Sequence, residues 1–169
     1  MELLFYIQDK IEDFNRAIEL DPNKAQNYIY RSLYWQIVAK DNERGLADLN
    51  KAIEVEPENA WCYNCRANFY KYTIKDYSTA IVDYTRSIEL EKHPSMLALH
   101  YYARGECYQK LQRYTEAIAD YTRAIELGEH EKTFKPLLPW TYRERGECYK
   151  ALGDNAKAEA DMDKYNELS

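Results

Sequence analysis

One block of residues recurs four times in the chain and restricts its fold more than any other feature. It reads Tyr28-x-x-Arg31-Ser32-x-x-Trp35, Tyr63-x-x-Arg66-Ala67-x-x-Tyr70, Tyr101-x-x-Arg104-Gly105-x-x-Tyr108 and Tyr142-x-x-Arg145-Gly146-x-x-Tyr149. Ring, small residue and ring are spaced four and then three apart, so all three fall on one face of an α-helix. The small residue admits a second helix at close range, and the rings fill the space on either side.

That second helix follows each time. Residues 46–55, 81–90 and 118–127 repeat an apolar residue, an Asp, an aromatic or Leu, and an Ile-Glu-Leu or Ile-Glu-Val ending. Residues 11–20 carry the same pattern ahead of the first block, and residues 159–168 carry a degenerate copy. The unit is therefore a helical hairpin. Its first ring lies 21 residues before Leu49 and Tyr84 in the first two units, but 20 before Tyr121 and Met162 in the last two. Asp21-Pro22-Asn23, Glu56-Pro57-Glu58 and His93-Pro94-Ser95 mark the breaks between hairpins. Gly153-Asp154 suits a helix stop followed by an N-cap. Only 5 Gly and 5 Pro occur, too few for the turns of an all-β fold. The expectation is an all-α single domain over residues 1–169 with about nine helices. Hairpins fall at 24–57, 59–91, 95–128 and 138–169, after a half repeat or N-terminal cap at 1–22.

The ring, small, ring series resembles the tetratricopeptide repeat (TPR) family, a helix–turn–helix repeat of 34 residues. The downstream pairs Ala80-x-x-x-Tyr84 and Ala117-x-x-x-Tyr121, and Pro22 and Pro57 at the repeat ends, match it too. The resemblance implies a right-handed superhelical solenoid of antiparallel hairpins. Arg31, Arg66, Arg104 and Arg145 stand where the family pattern has Leu, and each unit also carries an acid at Asp48, Asp83, Asp120 or Asp161. These departures predict a ladder of Arg–Asp pairs between helices. In the last helix Glu159 and Asn166 replace repeated apolar residues, as a terminal capping helix requires. At the other end, residues 1–7 are read as a cap over the first unit or as part of a truncated repeat.

Composition excludes several functions. Lys and Arg total 23 against 29 Asp and Glu, a net charge of −6, with no basic run to neutralise phosphates. Nucleic acid is not expected as a partner. No stretch approaches the ~20 apolar residues that span a bilayer, so no membrane role is expected either. The opening residues lack a basic leader and no Asn-x-Ser/Thr acceptor occurs, which favours a cytoplasmic setting. Cys62 and Cys65 have C-x-x-C spacing, but Cys107 and Cys148 stand singly, so the four are read as small apolar fillers with no metal. No nucleophile motif, glycine-rich phosphate loop or paired histidines occur; no enzyme activity and no cofactor are expected.

Recognition is the remaining class. In the family resembled, the first helix of each hairpin lines the concave groove. That geometry implies a partner-binding groove of Ile29, Leu33, Ile37, Trp61, Asn64, Asn68, Tyr72, Tyr102, Glu106, Trp140, Arg143 and Glu147, with Lys71, Leu99, Gln109 and Lys150 beside them. Ile29, Leu33 and Ile37 form a second apolar stripe, either covered by Leu3, Leu4, Phe5 and Ile7 or left open for a partner. The function expected is a protein–protein interaction module, an adaptor or scaffold that holds a peptide or partner-protein segment. The alternative is a structural self-association module, a homo-oligomer through the incomplete N-terminal repeat. A Lys/Asn/Arg clamp for an acidic C-terminal tail is disfavoured, because Leu99, Tyr102 and Ala103 occupy its later positions and Glu106 and Glu147 repel acids.

Overall fold

The computed structural model describes residues 10–169, and every regular element among them is a helix. The first is α1 (Ile11–Leu20), a lone second-type helix. The hairpins that follow pair α2 (Ala25–Tyr34) with α3 (Asn42–Val55), and α4 (Ala60–Asn68) with α5 (Tyr77–Leu90). Then α6 (Pro94–Lys110) pairs with α7 (Tyr114–Gly128), and α8 (Leu138–Ala151) with α9 (Asn155–Leu168). Each hairpin stacks on the next, α3 on α4, α5 on α6 and α7 on α8, in a right-handed superhelical solenoid.

The prolines act as the sequence suggests. Pro94 is the first residue of α6, where its missing N–H costs nothing. Every hairpin turns through one residue in the left-handed region: Lys40 (φ 56°), Lys75 (62°), Gln112 (58°) and Gly153 (80°). Asp41, Asp76 and Asp154 then cap the second helix by accepting from the N–H of Arg44, Thr79 and Lys157.

The Arg–Asp ladder is present in all four hairpins. Each guanidinium donates Nε and Nη2 to both oxygens of its Asp at 2.7–2.8 Å. A second contact extends it. Nη1 of Arg31, Arg66, Arg104 and Arg145 donates to Asn15, Asn50, Thr85 and Thr122, on the second helix of the preceding repeat. One side chain thus closes its own hairpin and ties it to the previous one. The tyrosines serve the same group. Arg104 lies 5.4 Å from the Tyr101 ring and 5.8 Å from Tyr108, and Arg145 lies 5.4 Å from Tyr142 and 5.9 Å from Tyr149. In these last two hairpins the ring, Arg, ring spacing sandwiches a guanidinium between faces that attract cations.

The one-residue excess of the first two units takes a specific form. The first helices end there in π-helical turns, Trp35–Ala39 and Phe69–Ile74, where the later units stay α-helical. A π turn houses one additional residue per turn. These turns replace the plain short connections that the repeat spacing suggests.

The small ladder residues do admit close approach. A Cβ on Gly105 would lie 2.9 Å from the Tyr121 ring, and one on Gly146 would lie 3.3 Å from the Ala158 carbonyl oxygen. Tyr84 and Tyr121 are fully buried in the resulting cores. At the C-terminal end Glu159, Asp163 and Asn166 are exposed, and Tyr165 packs its ring against Trp140 at 5.6 Å. The expected cover by residues 1–7 lies outside the described residues.

Candidate functional site

A row of clefts follows the first helices. One, of about 290 Å³, lies between α2 and α4 and is lined by Ile29, Ser32, Leu33, Gln36, Leu49, Trp61, Cys65, Asn68, Phe69, Tyr72 and Thr73. The next, of about 320 Å³, lies between α4 and α6, with Asn64, Asn68, Tyr72, Met96, Leu99, His100, Tyr102, Ala103, Glu106 and Leu137. A third, of about 490 Å³, joins α6 to α8 through Glu106, Gln109, Lys110, Glu144 and Glu147. A fourth continues from Glu147 to Ala158, Glu159 and Met162 on α9. Neighbouring clefts share walls: Asn68 and Tyr72, then Glu106, then Glu147.

Nine of the expected groove residues line these clefts: Ile29, Leu33, Trp61, Asn64, Asn68, Tyr72, Tyr102, Glu106 and Glu147. Ile29, at 1% exposure, is a floor residue packed in the core rather than a free stripe. Ile37 is half-buried within the first π turn. Trp140 and Arg143 form a stack of their own with Tyr165. The guanidinium lies 4.5 Å from the indole, and Arg143 donates to Glu144 at 2.7 Å. Lys71, expected to face the groove, is only 5% exposed. The π turn carries it inward, where Nζ donates to Glu106 on the next hairpin at 2.5 Å and to the Tyr72 hydroxyl at 2.8 Å. Burial alone would lower the Lys71 pKa, but Glu106 and Tyr72 outweigh it and hold the ammonium above its ordinary range.

The chemistry changes along the row. The first cleft contains no charged side chain, and Tyr72 at its edge is 63% exposed. In the second, the Asn64 side chain makes no hydrogen bond among the described residues, and Asn68 Oδ1 accepts from the buried Tyr84 hydroxyl at 2.6 Å. At the far side, Gln109 donates to Glu144 at 3.1 Å and accepts from the Tyr121 hydroxyl at 2.6 Å. Glu147 is exposed and in no ion pair among the described residues. The groove thus runs from an apolar end to a polar, carboxylate-bearing one.

His100 lies at the edge of the second cleft, 2% exposed. Ser87 spends its hydroxyl proton on the Ala60 carbonyl, so toward His100 Nδ1, at 3.1 Å, it can only accept. Nδ1 therefore carries the proton, and Nε2 is a bare acceptor with no partner among the described residues. Burial pushes the imidazole pKa down against the opposing charge of Glu91, keeping it neutral.

Burial pushes the thiols of Cys62, Cys65, Cys107 and Cys148 up to about 12. No three His, Cys, Asp or Glu side chains converge among the described residues. No helix among them is long and apolar enough to cross a membrane.

Residues 96–164 match the family model described as tetratricopeptide repeat. Among solved structures, a crystal structure of MamA superposes with a TM-score of 0.79 at 19% identity, over 96% of this chain and 88% of that one. PilF of Pseudomonas aeruginosa gives 0.80 at 15% identity, over 97% and 69%. PilW, described as a widely conserved type IV pilus biogenesis factor, gives 0.75 at 16% identity, over 96% and 70%. At these identities the likeness is one of fold. No curated protein matches the chain.

Proposed function

We propose that this chain, a tetratricopeptide repeat protein, is a protein-interaction adaptor that holds a peptide or partner-protein segment in the groove along its first helices. The observation that carries this reading is the continuity of the clefts. Each shares a side chain with the next, so one extended ligand can contact all four hairpins without crossing a gap. Exposed aromatic and apolar groups beside polar ones are the usual composition of such a surface. The reading supplies no catalytic residue and no cofactor, and it sets the chain in the cytoplasm, in line with its acidic composition and free thiols.

The test is a capture experiment with the purified chain, with the captured segment then titrated as a peptide. Trp61→Ala, Tyr72→Ala and Tyr102→Ala together are expected to weaken binding about tenfold or more, since aromatic anchors carry most of such interfaces. A variant at Val82, 66% exposed on α5 and outside these clefts, serves as the control. Equal binding by the triple variant and the parent chain rules the groove out.

A further inference from the structure

We propose that the second cleft receives a tyrosine side chain of the bound segment, whose phenol donates to His100 Nε2. The proposal rests on the groove reading and names one anchor of its ligand. The other repeats do without a histidine at this place. The residue one before the first ring is Asn27, Cys62 or Thr141 there. Asn27 donates to the Ala17 and Asp21 carbonyls and the Thr141 hydroxyl to Leu137, while Cys62 has only a weak S–H donor to satisfy. On the second helices, the position of Ala17, Ala52 and Ala124 is held once by a serine, Ser87. The chain therefore introduces Ser87 and His100 together, at a single interface. The serine sets the tautomer, and the result is a lone pair on Nε2 that no group among the described residues uses.

His100 forms part of the cleft wall, and its Nδ1 faces Ser87 on α5, so the other nitrogen is turned away from α5 on the side of the cleft. The lining lies within residues 64–137, and neither end of the chain contributes to it. Met96, Leu99, Ala103 and Leu137 make the cleft largely apolar, and its single carboxylate, Glu106, is tied to Lys71. A cationic donor would lose its hydration there without a free counter-charge. A neutral donor at the tip of an apolar ring fits instead. Tyrosine suits the site better than tryptophan, because a phenol oxygen that donates can still accept. The Asn64 side chain, uncommitted in the same cleft, is a donor for it. Met96, half-buried and one turn before His100 on the same face of α6, is the pliant, unbranched side chain whose movement opens Nε2 to the ligand.

The probes are p-cresol, which is the tyrosine side chain, and toluene, its counterpart without the hydroxyl. Both are titrated into the isotope-labelled full chain and followed by long-range proton–nitrogen correlations of the imidazoles, with His100 assigned by its loss in His100→Cys. The free chain is expected to show His100 protonated on Nδ1. p-Cresol is expected to shift the Nε2 resonance and to bind about fivefold more tightly than toluene, the worth of one neutral hydrogen bond. Ser87→Ala with His100→Cys, which installs the pair found at Ala52 and Cys62, is expected to bind the two probes alike. Ser87→Ala alone keeps the ring but no longer sets its tautomer, and is expected to reduce the preference. Equal affinities in the parent chain overturn the proposal, as does a preference undiminished by either change. An Nε2 resonance already hydrogen-bonded in the free chain and unmoved by p-cresol also overturns it, by assigning the lone pair to water. Each of these failures leaves the groove reading standing, since the capture experiment turns on Trp61, Tyr72 and Tyr102 and not on His100.

Discussion

The first two hairpins and the last two are built from the same rungs, yet they differ by one residue. In the first pair, Arg and Asp lie 17 residues apart and the connecting turn contains a π-helical segment; in the second pair they lie 16 apart and the first helix stays α-helical. The rung geometry is unchanged at 2.7–2.8 Å, so the extra residue is absorbed entirely in the turn. It shows in the groove instead. The second π turn rotates Lys71 into the interior and leaves Tyr72 exposed. Repetition fixes the scaffold, and a single insertion in a tolerant turn varies the surface of the groove.

The rungs are where this comparison breaks most visibly. Arg104 and Arg145 side chains are 15% exposed, against 23% and 24% for Arg31 and Arg66. Removing a guanidinium leaves a buried carboxylate uncompensated, at about 3–5 kcal/mol for a well-buried pair. Arg104→Met is therefore expected to cost the full amount in chemical denaturation. Arg66→Met, whose site retains more water, is expected to cost about 1 kcal/mol less. Arg104→Met with Asp120→Leu is expected to recover most of the loss, because it removes the orphaned charge as well. Equal costs at 66 and 104 would show that water access does not grade the rungs.

The bridge between the two halves gives a second, smaller effect with a pH signature. Lys71 is 5% exposed while Glu106 is 28%, so the partners are not equivalent. Lys71→Met leaves a carboxylate that still reaches water, and is expected to cost about 1 kcal/mol. Glu106→Gln leaves a buried ammonium, and is expected to cost about 2–3 kcal/mol at neutral pH. In the parent chain the folded-state Lys71 pKa is raised, so its contribution is complete below 10.5 and fades above it. In Glu106→Gln burial loses its main opponent and the pKa falls below 10.5. The folded state then binds fewer protons than the unfolded chain, and stability rises as pH approaches 10.5. Denaturation midpoints of the two variants between about pH 7 and 10 check this. A Glu106→Gln chain whose stability does not rise across this window would refute the assignment of Lys71 as the buried partner.

Much of this was legible in the sequence, for identifiable reasons. The ladder was, because opposite charges repeated at fixed spacing inside an apolar stripe can stay there only by pairing with each other. The excess tyrosine, 17 against 4 Phe, is read as packing from periodicity. Only the structure shows that the rings also flank guanidiniums. Nine of the residues that the family resemblance implied for the groove line the clefts. Trp140 and Arg143 do not, because helix phase takes no account of chain ends. Where Ala52, Ser87 and Ala124 make room for a following hairpin, Tyr165 fills the space and draws Trp140 onto itself. Lys71 was misplaced because a helical wheel assumes about 3.6 residues per turn. The 21-against-20 spacing was the available signal of a π turn, and it does not state which residues turn inward.

The hairpin turns provide the finest test, because all four take a left-handed residue and only the last spends a glycine on it. A side chain at positive φ crowds the following carbonyl and costs roughly 1–2 kcal/mol, partly offset by the greater freedom glycine has when unfolded. Replacing Lys40, Lys75 or Gln112 by Gly is therefore expected to stabilise the chain by about 0.5–1 kcal/mol each, and Gly153→Ala to destabilise it by a similar amount. The gain should not be uniform. At Lys40 and Lys75 the next residue, Asp41 or Asp76, already caps the second helix, whereas Arg113 after Gln112 makes no capping hydrogen bond. The third hairpin is thus the least well-closed turn, and Gln112→Gly is expected to gain the most, read as a shift in thermal midpoint. If Lys75→Gly gains as much or more, the caps do not decide how firmly each turn holds its left-handed residue, and the π turn that precedes Lys75 becomes the stronger influence.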